Sequence, residues 1–411
     1  MQTYMPAAVG CSHFGMLGTA KALVRISLAV VGLLFSSAAS ADEFAPAVRS
    51  ISVYDIPSHT VMLEQNADVA MPPASMTKLM TLYILFEALE MGRVQLEDRM
   101  AVSAYAANRG GSTMFLDTRD NPTIEDLIRG IIVMSGNDAA ITVAEGLAGT
   151  EGAFTLQMNS VAQRIGMEHS HFLNASGWPE AGHEMSARDL GALALSIIEE
   201  FPQHYHFFSQ PEFSFDNRAP ANRFNRNPIL GLNIGGDGLK TGHTDEAGYG
   251  FVGSAVQGNR RIVFAFMGAQ DANARAQIAR DIVLWAYGQF RSRQVLRAGD
   301  ILAQAEVWLG EQRTVPLTVA SDVTILLPTS SPDDVQAMLS YLGPITAPIH
   351  EGQEVGHLSI SLSSVETTHI PVVAAENVRM GGFSVRISAA ATVLANLAMR
   401  HTTSFLTQEE E

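Results

Sequence analysis

At 411 residues, 47% of them hydrophobic, the chain is long enough for two or three domains and a sizeable buried core. A formal charge of −16 makes nucleic acid an unfavourable partner. The only cysteine, Cys11, lies near the N-terminus, which excludes an internal disulfide framework.

The chain opens with residues 1–41, which contain no Asp or Glu. Lys21 and Arg25 precede an apolar run, Ile26 to Phe35, and Ala39-Ser40-Ala41 offers a cleavage site. That is the pattern of a secretory signal peptide, and its apolar run is short for a membrane span. Cleavage removes Lys21, Arg25 and Cys11, so the formal charge moves to −18 and no thiol remains. The expectation is an exported chain stabilised by its core.

Phe44 to Met71 reads as a hairpin, with Ser50 to Tyr54 alternating and Val61-Met62-Leu63 returning after a turn. Pro72-Pro73 then introduces Ala74-Ser75-Met76-Thr77-Lys78 and a run, Leu79 to Met91, that is apolar on nearly every face. Such a helix is a buried one. Ala101 to Gly111 is polar and predicts a loop near the site. Ile124 to Met134 has helical spacing, and Ser135-Gly136-Asn137-Asp138 separates it from a second helix, Ala139 to Leu147. Helical patterns continue over Phe154 to Ile165 and Ala187 to Glu199. Leu239 to Gly242, Tyr249 to Val256 and Arg261 to Met267 predict adjacent strands, followed by a long helix, Ala274 to Phe290. Strands at both ends with helices between them indicate an α+β domain with an antiparallel sheet, residues 42–292. From 293 to 383, short alternating runs such as Val315-Leu317-Val319 and Leu358-Ile360-Leu362 predict a small all-β domain. In the tail, 384–411, Ile387, Ala391, Leu394 and Ala398 share one helical face, suited to a membrane interface or to docking.

Ser75 and Lys78 fall one turn apart at the start of the buried helix, where the helix dipole favours a developing negative charge. A hydroxyl becomes a useful nucleophile when a base takes its proton, and a lysine is a base once burial or a neighbouring cation lowers its pKa. Ser-x-x-Lys alone is a weak signal, but the lysine content strengthens it. The sequence holds only Lys21, Lys78 and Lys240, and every other cationic side chain apart from histidine is arginine, which cannot deprotonate. After cleavage both remaining lysines lie in candidate motifs. Ser135-Gly136-Asn137 places a hydroxyl and an amide in a tight turn, one able to relay a proton and the other to hold a substrate backbone group. In Lys240-Thr241-Gly242 the lysine can attract a substrate carboxylate and help keep Lys78 neutral. Thr241 adds a hydroxyl, and Gly242 lets a substrate strand approach closely. Singly, each of the last two motifs is an ordinary turn or hairpin end. In this order, and holding both lysines, they read as one site.

This motif set resembles that of the serine penicillin-recognising enzymes, whose Ser-x-x-Lys and Lys-Thr-Gly signatures are a standard pattern. Ser75-Met-Thr-Lys-Leu-Met-Thr81, Ser135-Gly-Asn-Asp-Ala139 and Asp237-Gly-Leu-Lys-Thr-Gly-His-Thr-Asp245 resemble the low-molecular-mass penicillin-binding proteins that are D-alanyl-D-alanine carboxypeptidases. The resemblance extends over the whole exported chain. It implies a β-lactamase/transpeptidase-like catalytic domain, a β-rich second domain and an amphipathic membrane anchor. It implies Ser75 as nucleophile, Lys78 as base, Ser135 and Asn137 as relay and positioning groups, and Lys240 to Gly242 as the carboxylate-side strand. The backbone N–H groups of Ser75 and His243 would form the oxyanion hole. Implied partners are a peptidoglycan stem peptide ending in D-Ala-D-Ala, β-lactams as covalent inhibitors and a membrane surface in the periplasm; no metal or cofactor is implied. The tail departs from the family pattern, because its polar face is nearly uncharged and the chain ends Glu409-Glu410-Glu411, which an anionic surface repels.

Other readings compete. A class A β-lactamase needs a glutamate for its deacylating water, and Glu168 to Asn174 lacks the Glu-x-x-Leu-Asn spacing. A DD-endopeptidase is chemically closer, and the extra domain and tail favour the carboxypeptidase. A zinc peptidase would use His169 and His171 or His204 and His206, neither pair in a His-Glu-x-x-His motif. A non-catalytic wall-binding protein would show no acylation.

Overall fold

A computed structural model of the chain describes residues 21–26, 44–218, 220–329, 336–362 and 365–391. Two compact units emerge, one of residues 37–293 with 325–330, the other built largely from the C-terminal third.

The first unit is built on a five-stranded antiparallel sheet. Its strands are β1 (Ser50–Asp55), β2 (Thr60–Gln65), β3 (Gly236–Thr244), β4 (Gly248–Gln257) and β5 (Arg260–Ala269), in the order β2-β1-β5-β4-β3. Chain-distant strands meet at its centre, where β1 pairs with β5 from Ser50 opposite Met267 to Asp55 opposite Ile262. One side of the sheet is closed by α6 (Ala272–Gln289), whose Ile278, Ile282 and Val283 pack with Ile51, Val53, Phe251, Phe264 and Phe266. The helices α1 (Lys78–Glu90), α2 (Ile124–Arg129), α3 (Asn137–Ala148), α4 (Glu151–Arg164) and α5 (Ala187–Glu200) build a second core.

Helix α1 is the buried axis that its sequence predicts. Leu79, Met80, Leu82, Tyr83, Ile84, Leu85 and Phe86 are all at most 2% exposed. Each fully buried side chain of this size stabilises the fold by roughly 1.5–3 kcal/mol, so the position of Lys78 at its first turn is set by most of the helical core. Ser75 itself lies just outside α1, in a 3₁₀ turn over Ala74–Thr77. The tighter turn replaces the regular helical start expected from the sequence. A second irregularity follows α2. The helix continues as a π-helical turn over Gly130–Met134 and ends at Ser135 in the left-handed conformation, φ 59°. The Ile124–Met134 pattern therefore predicts one helix where the structure makes two geometries, and π turns commonly accompany functional sites.

The second unit is all-β among its described strands. A seven-stranded sheet runs in the order Lys21–Ile26, Gln336–Leu342, Glu354–Leu362, Val365–Ala374, Thr314–Val319, Ala303–Trp308 and Ile345–Thr346. The first of these lies within the segment read as a leader, so cleavage after Ala41 would make Gln336–Leu342 an edge strand. Residues 383–391 are helical, with Phe383 and Ile387 exposed. The remainder of the expected amphipathic face, including Leu394 and Ala398, lies outside the described residues. Among the described residues no helix is long and apolar enough to cross a membrane.

Candidate active site

Lys78 is completely buried, and its Nζ has three neighbours: Ser75 Oγ at 3.0 Å, Asn137 Oδ1 at 2.7 Å and the Ser176 carbonyl at 2.5 Å. Two of these oxygens can only accept. The third belongs to a hydroxyl that can also donate. A neutral amine has two hydrogens and one lone pair, which matches this set in number: N–H to Asn137, N–H to Ser176, and the lone pair to Ser75 O–H. Burial, reinforced by the charge of Arg226 and opposed by that of Asp138, lowers the Lys78 pKa to about 7. The sequence pointed to Lys240 as the neighbouring cation; the guanidinium of Arg226 takes that part.

Lys240 Nζ, also buried, donates to Ser135 Oγ at 3.0 Å and to the Thr241 carbonyl at 3.1 Å. Its pKa is driven well below the ordinary lysine value by burial first, then by the charges of Lys78, Arg226 and Arg275. Sequence reasoning missed both arginines, since each lies far along the chain from the motif it faces. Arg226 donates to Ser112 Oγ at 3.0 Å and the Met134 carbonyl at 3.3 Å. Arg275 lies over the Tyr249 ring at 5.3 Å, and its buried Nε has no hydrogen-bond partner. Four basic side chains thus converge, a field suited to a substrate anion.

Each arm of the site is locked from behind. Asp138, directly after Asn137, accepts from the backbone N–H of Met114 at 2.9 Å and of Leu116 at 3.0 Å, and from Thr113 Oγ1. The 112–116 loop is therefore fastened to the start of α3, and Asn137 Nδ2 reaches the Gly110 carbonyl at 2.8 Å. Asp138 is the signal that could have been read, as the acid closing the Ser135 motif. Gly242 faces the Ser75 turn, where a Cβ would come 2.8 Å from the Pro73 carbonyl. Thr241 is buried, and His243 is exposed with its ring 3.9 Å from that of Tyr249. His183, another residue that sequence reasoning missed, contacts Thr77 Oγ1 at 2.9 Å. Its Nδ1 accepts from the Leu173 N–H at 3.2 Å, so Nε2 carries the proton and donates to Thr77. Burial, with the charges of His171 and Lys78, lowers its pKa to about 4 and holds it neutral.

Of the two histidine pairs weighed for zinc, His204 and His206 are engaged elsewhere. His204 meets Glu90 at 3.0 Å and stacks on Phe86, while His206 Nδ1 meets the Gln203 carbonyl at 3.0 Å. Among the described residues no three metal-binding side chains group together. Glu168, weighed for a lactamase, is exposed.

Residues 37–271 match the family described as D-alanyl-D-alanine carboxypeptidase, more than half of the chain. The chain belongs to that family. Residues 290–380 match the penicillin-binding protein 5 C-terminal domain. The carboxypeptidase is 33% identical over 375 residues to D-alanyl-D-alanine carboxypeptidase DacA of Escherichia coli (strain K12), covering 86% of this chain and 91% of that one. It is 33% identical over 354 residues to DacC of the same organism, covering 84% and 88%. Among solved structures it resembles penicillin-binding protein 5 from Haemophilus influenzae, with a TM-score of 0.76, 29% identity, and coverage of 82% of this chain and 98% of that one. It also resembles the ampicillin-bound penicillin-binding protein D2 from Listeria monocytogenes, with a TM-score of 0.53, 30% identity, and coverage of 58% of this chain and 97% of that one. This is therefore a serine-type D-alanyl-D-alanine carboxypeptidase with a mixed α/β catalytic domain and an all-β C-terminal domain.

Proposed function

We propose that Ser75 is the nucleophile and Lys78 its base in removing the terminal D-Ala from peptidoglycan stem pentapeptides. The observation that carries this reading is the buried Nζ of Lys78, 3.0 Å from Ser75 Oγ, with two carbonyl oxygens holding its hydrogens. Ser75 Oγ attacks the penultimate D-Ala carbonyl carbon while its proton passes to Lys78 Nζ. The tetrahedral oxyanion is held by the N–H groups of Ser75 and His243. The C–N bond then breaks, the proton held by Lys78 passes through the Ser135 hydroxyl to the leaving amine, and free D-Ala departs with Lys78 neutral again. Water attacks the resulting ester and gives a proton to Lys78, which passes it to Ser75 Oγ as the C–O bond breaks and the shortened peptide leaves.

The substrate's terminal carboxylate answers the field of Lys240, Arg226 and Arg275, with Thr241 beside it. The amide of Asn137 holds the peptide on the acyl side, and Gly242 lets β3 pack against the Ser75 turn. A penicillin presents a strained amide and a carboxylate in the same relation, so it acylates Ser75 and leaves slowly. In this reading the leader directs export, so the enzyme acts outside the cytoplasmic membrane, in the periplasm where its substrate lies. The test is mass spectrometry of the purified protein after benzylpenicillin, with peptide mapping. One penicilloyl group on the peptide containing Ser75 is expected. Unmodified Ser75 in folded protein would overturn the assignment.

A further inference from the structure

Beside the catalytic groups stands a pair of side chains that the chemistry above does not use. Trp178 follows Ser176, whose carbonyl holds Lys78, by two residues, and is 38% exposed. The edge of its indole faces the backbone of Gly110 and Gly111, the same loop that anchors Asn137, so that a Cβ on Gly111 would meet the ring at 3.3 Å and Asn137 Nδ2 at 2.9 Å. Arg109 lies over that indole, its guanidinium carbon 4.6 Å from the ring centroid, and 5.8 Å from the ring of Tyr105.

Arg109 makes no direct ion pair among the described residues, and the nearby Glu151 carboxylate reaches it only through the Tyr105 hydroxyl. Its one side-chain hydrogen bond is a long 3.5 Å contact from Nη1 to Tyr105 Oη, its buried Nε has no hydrogen-bond partner, and among the described residues no carboxylate forms an ion pair with it. Glu151 is engaged by Tyr105 Oη at 2.9 Å and the Ala175 N–H at 2.9 Å. A guanidinium stacked on an aromatic ring keeps its outward N–H groups for a planar anion, and stacking fixes its orientation at little entropic cost. Such an arrangement is a ready carboxylate receptor.

The position decides which carboxylate. Lys240, Arg226 and Arg275 meet the peptide's C-terminus, and Asn137 meets the acyl side. Trp178 and Gly110–Gly111 border Asn137, so they meet the residues that precede the D-Ala pair. We infer that Arg109 and Trp178 form a subsite for the side chain of the third stem residue and favour one that ends in a carboxylate. The aliphatic part of that side chain lies along the exposed indole surface while its carboxylate pairs with Arg109. A side chain ending only in an ammonium meets a like charge there instead. This inference rests on the reading of Ser75 as the acylated residue.

The test uses the full chain and synthetic stem pentapeptides whose third residue is meso-diaminopimelate, the same residue with its side-chain carboxylate amidated, or L-lysine. D-Ala release should show kcat/KM about tenfold or more higher for the free carboxylate than for either of the others. Arg109→Gln should bring the three peptides within about twofold of one another by lowering only the first, and Arg109→Lys should restore part of the difference. Formation of a penicilloyl adduct by each variant shows that it is folded. Equal kcat/KM on the three peptides with the native chain, or a preference untouched by Arg109→Gln, overturns the subsite while leaving the carboxypeptidase reading intact. Absence of both D-Ala release and penicillin labelling in the native chain would instead overturn the parent reading.

Discussion

Lys240 Nζ lies 3.0 Å from Ser135 Oγ, the same separation as Lys78 Nζ from Ser75 Oγ. Two buried serine–lysine pairs thus stand in one site, and the charge of Lys78 lowers the pKa of Lys240. Two ammonium groups in a water-poor site would repel each other, so with Lys78 neutral the charge at Lys240 is left to meet a bound carboxylate. Lys240→Gln keeps a hydrogen-bond donor toward Ser135 but removes the charge. Loss of a charged contact is worth about 1.5–3 kcal/mol, so kcat/KM on a D-Ala-D-Ala peptide should fall about 10- to 100-fold. The same change should matter little for a peptide ending in a carboxamide, which steady-state kinetics on the two peptides would check.

Acylation should follow the neutral form of Lys78. Its pKa of about 7 implies a rate that rises with pH through neutrality and levels off above about 8. Arg226 is the cation that lowers this pKa after burial itself. Its removal favours the ammonium, so Arg226→Gln should move the rising limb to higher pH and depress the rate at pH 7. Arg226→Lys should leave the limb close to its native position. Stopped-flow acylation by a chromogenic β-lactam across pH 5 to about 9 distinguishes the cases. An unmoved limb in Arg226→Gln would disconnect Arg226 from the base.

Lys78→Arg retains a cation but removes the lone pair. A positioned general base contributes about 10²–10⁴-fold, and the loss of acylation rate should fall in or above that range, measured by penicilloyl adduct formation over hours. A normal rate in this variant would deny Lys78 the base role.

The stability of the scaffold rests on contacts of another kind. Asp55, at the end of β1 and wholly buried, pairs with Arg260 and accepts from Ser58 N and Oγ at 3.2 and 2.6 Å. Arg260 also reaches the carbonyls of Ala286 and Phe290 at 2.8 and 3.0 Å. Asp55→Asn leaves a buried guanidinium without its counter-charge, which costs about 3–5 kcal/mol. Urea unfolding should show the loss, with penicillin acylation per folded molecule unchanged because the partners of Asp55, Ser58 and Arg260, are not among the groups around Ser75.

Much of this was legible in the sequence, and the physical reason is local encoding. The apolar run Leu79 to Met91 demands a buried helix wherever it occurs, and the three strand patterns from Leu239 to Met267 belong to neighbours in one meander. The scarcity of lysine singled out Lys78 and Lys240 before any geometry was known. Arg226 and Arg275 were invisible because nothing in an arginine-rich chain distinguishes a guanidinium that turns inward. The left-handed Ser135 and its π turn were equally hidden, since Gly130 to Met134 carries an ordinary helical pattern. The Ser176 carbonyl could not be anticipated either, because a backbone acceptor leaves no mark on residue type.

Gly177 shows how closely that hidden backbone is fitted. It adopts φ +77°, and a Cβ there would come within 1.7 Å of the Ala74 carbonyl oxygen and 2.8 Å of Thr77 Oγ1. Both obstacles belong to the turn that carries Ser75, and Ala74 itself has a left-handed φ of 50°. Gly177→Ala therefore incurs about 1 kcal/mol of backbone strain and forces the Ser75 turn and the Ser176 carbonyl apart. Displacing that carbonyl deprives Lys78 Nζ of one of the two acceptors that aim its lone pair at Ser75. Acylation by benzylpenicillin should slow by at least about 100-fold, since positional errors near 1 Å carry losses of that size. The melting temperature should fall as well. Gly166, whose φ of +77° meets nothing within 4 Å, supplies the control. Gly166→Ala should show the strain in its melting temperature but keep the native acylation rate, and parallel loss of activity in both variants would mean that strain, not the Ala74 contact, governs the site.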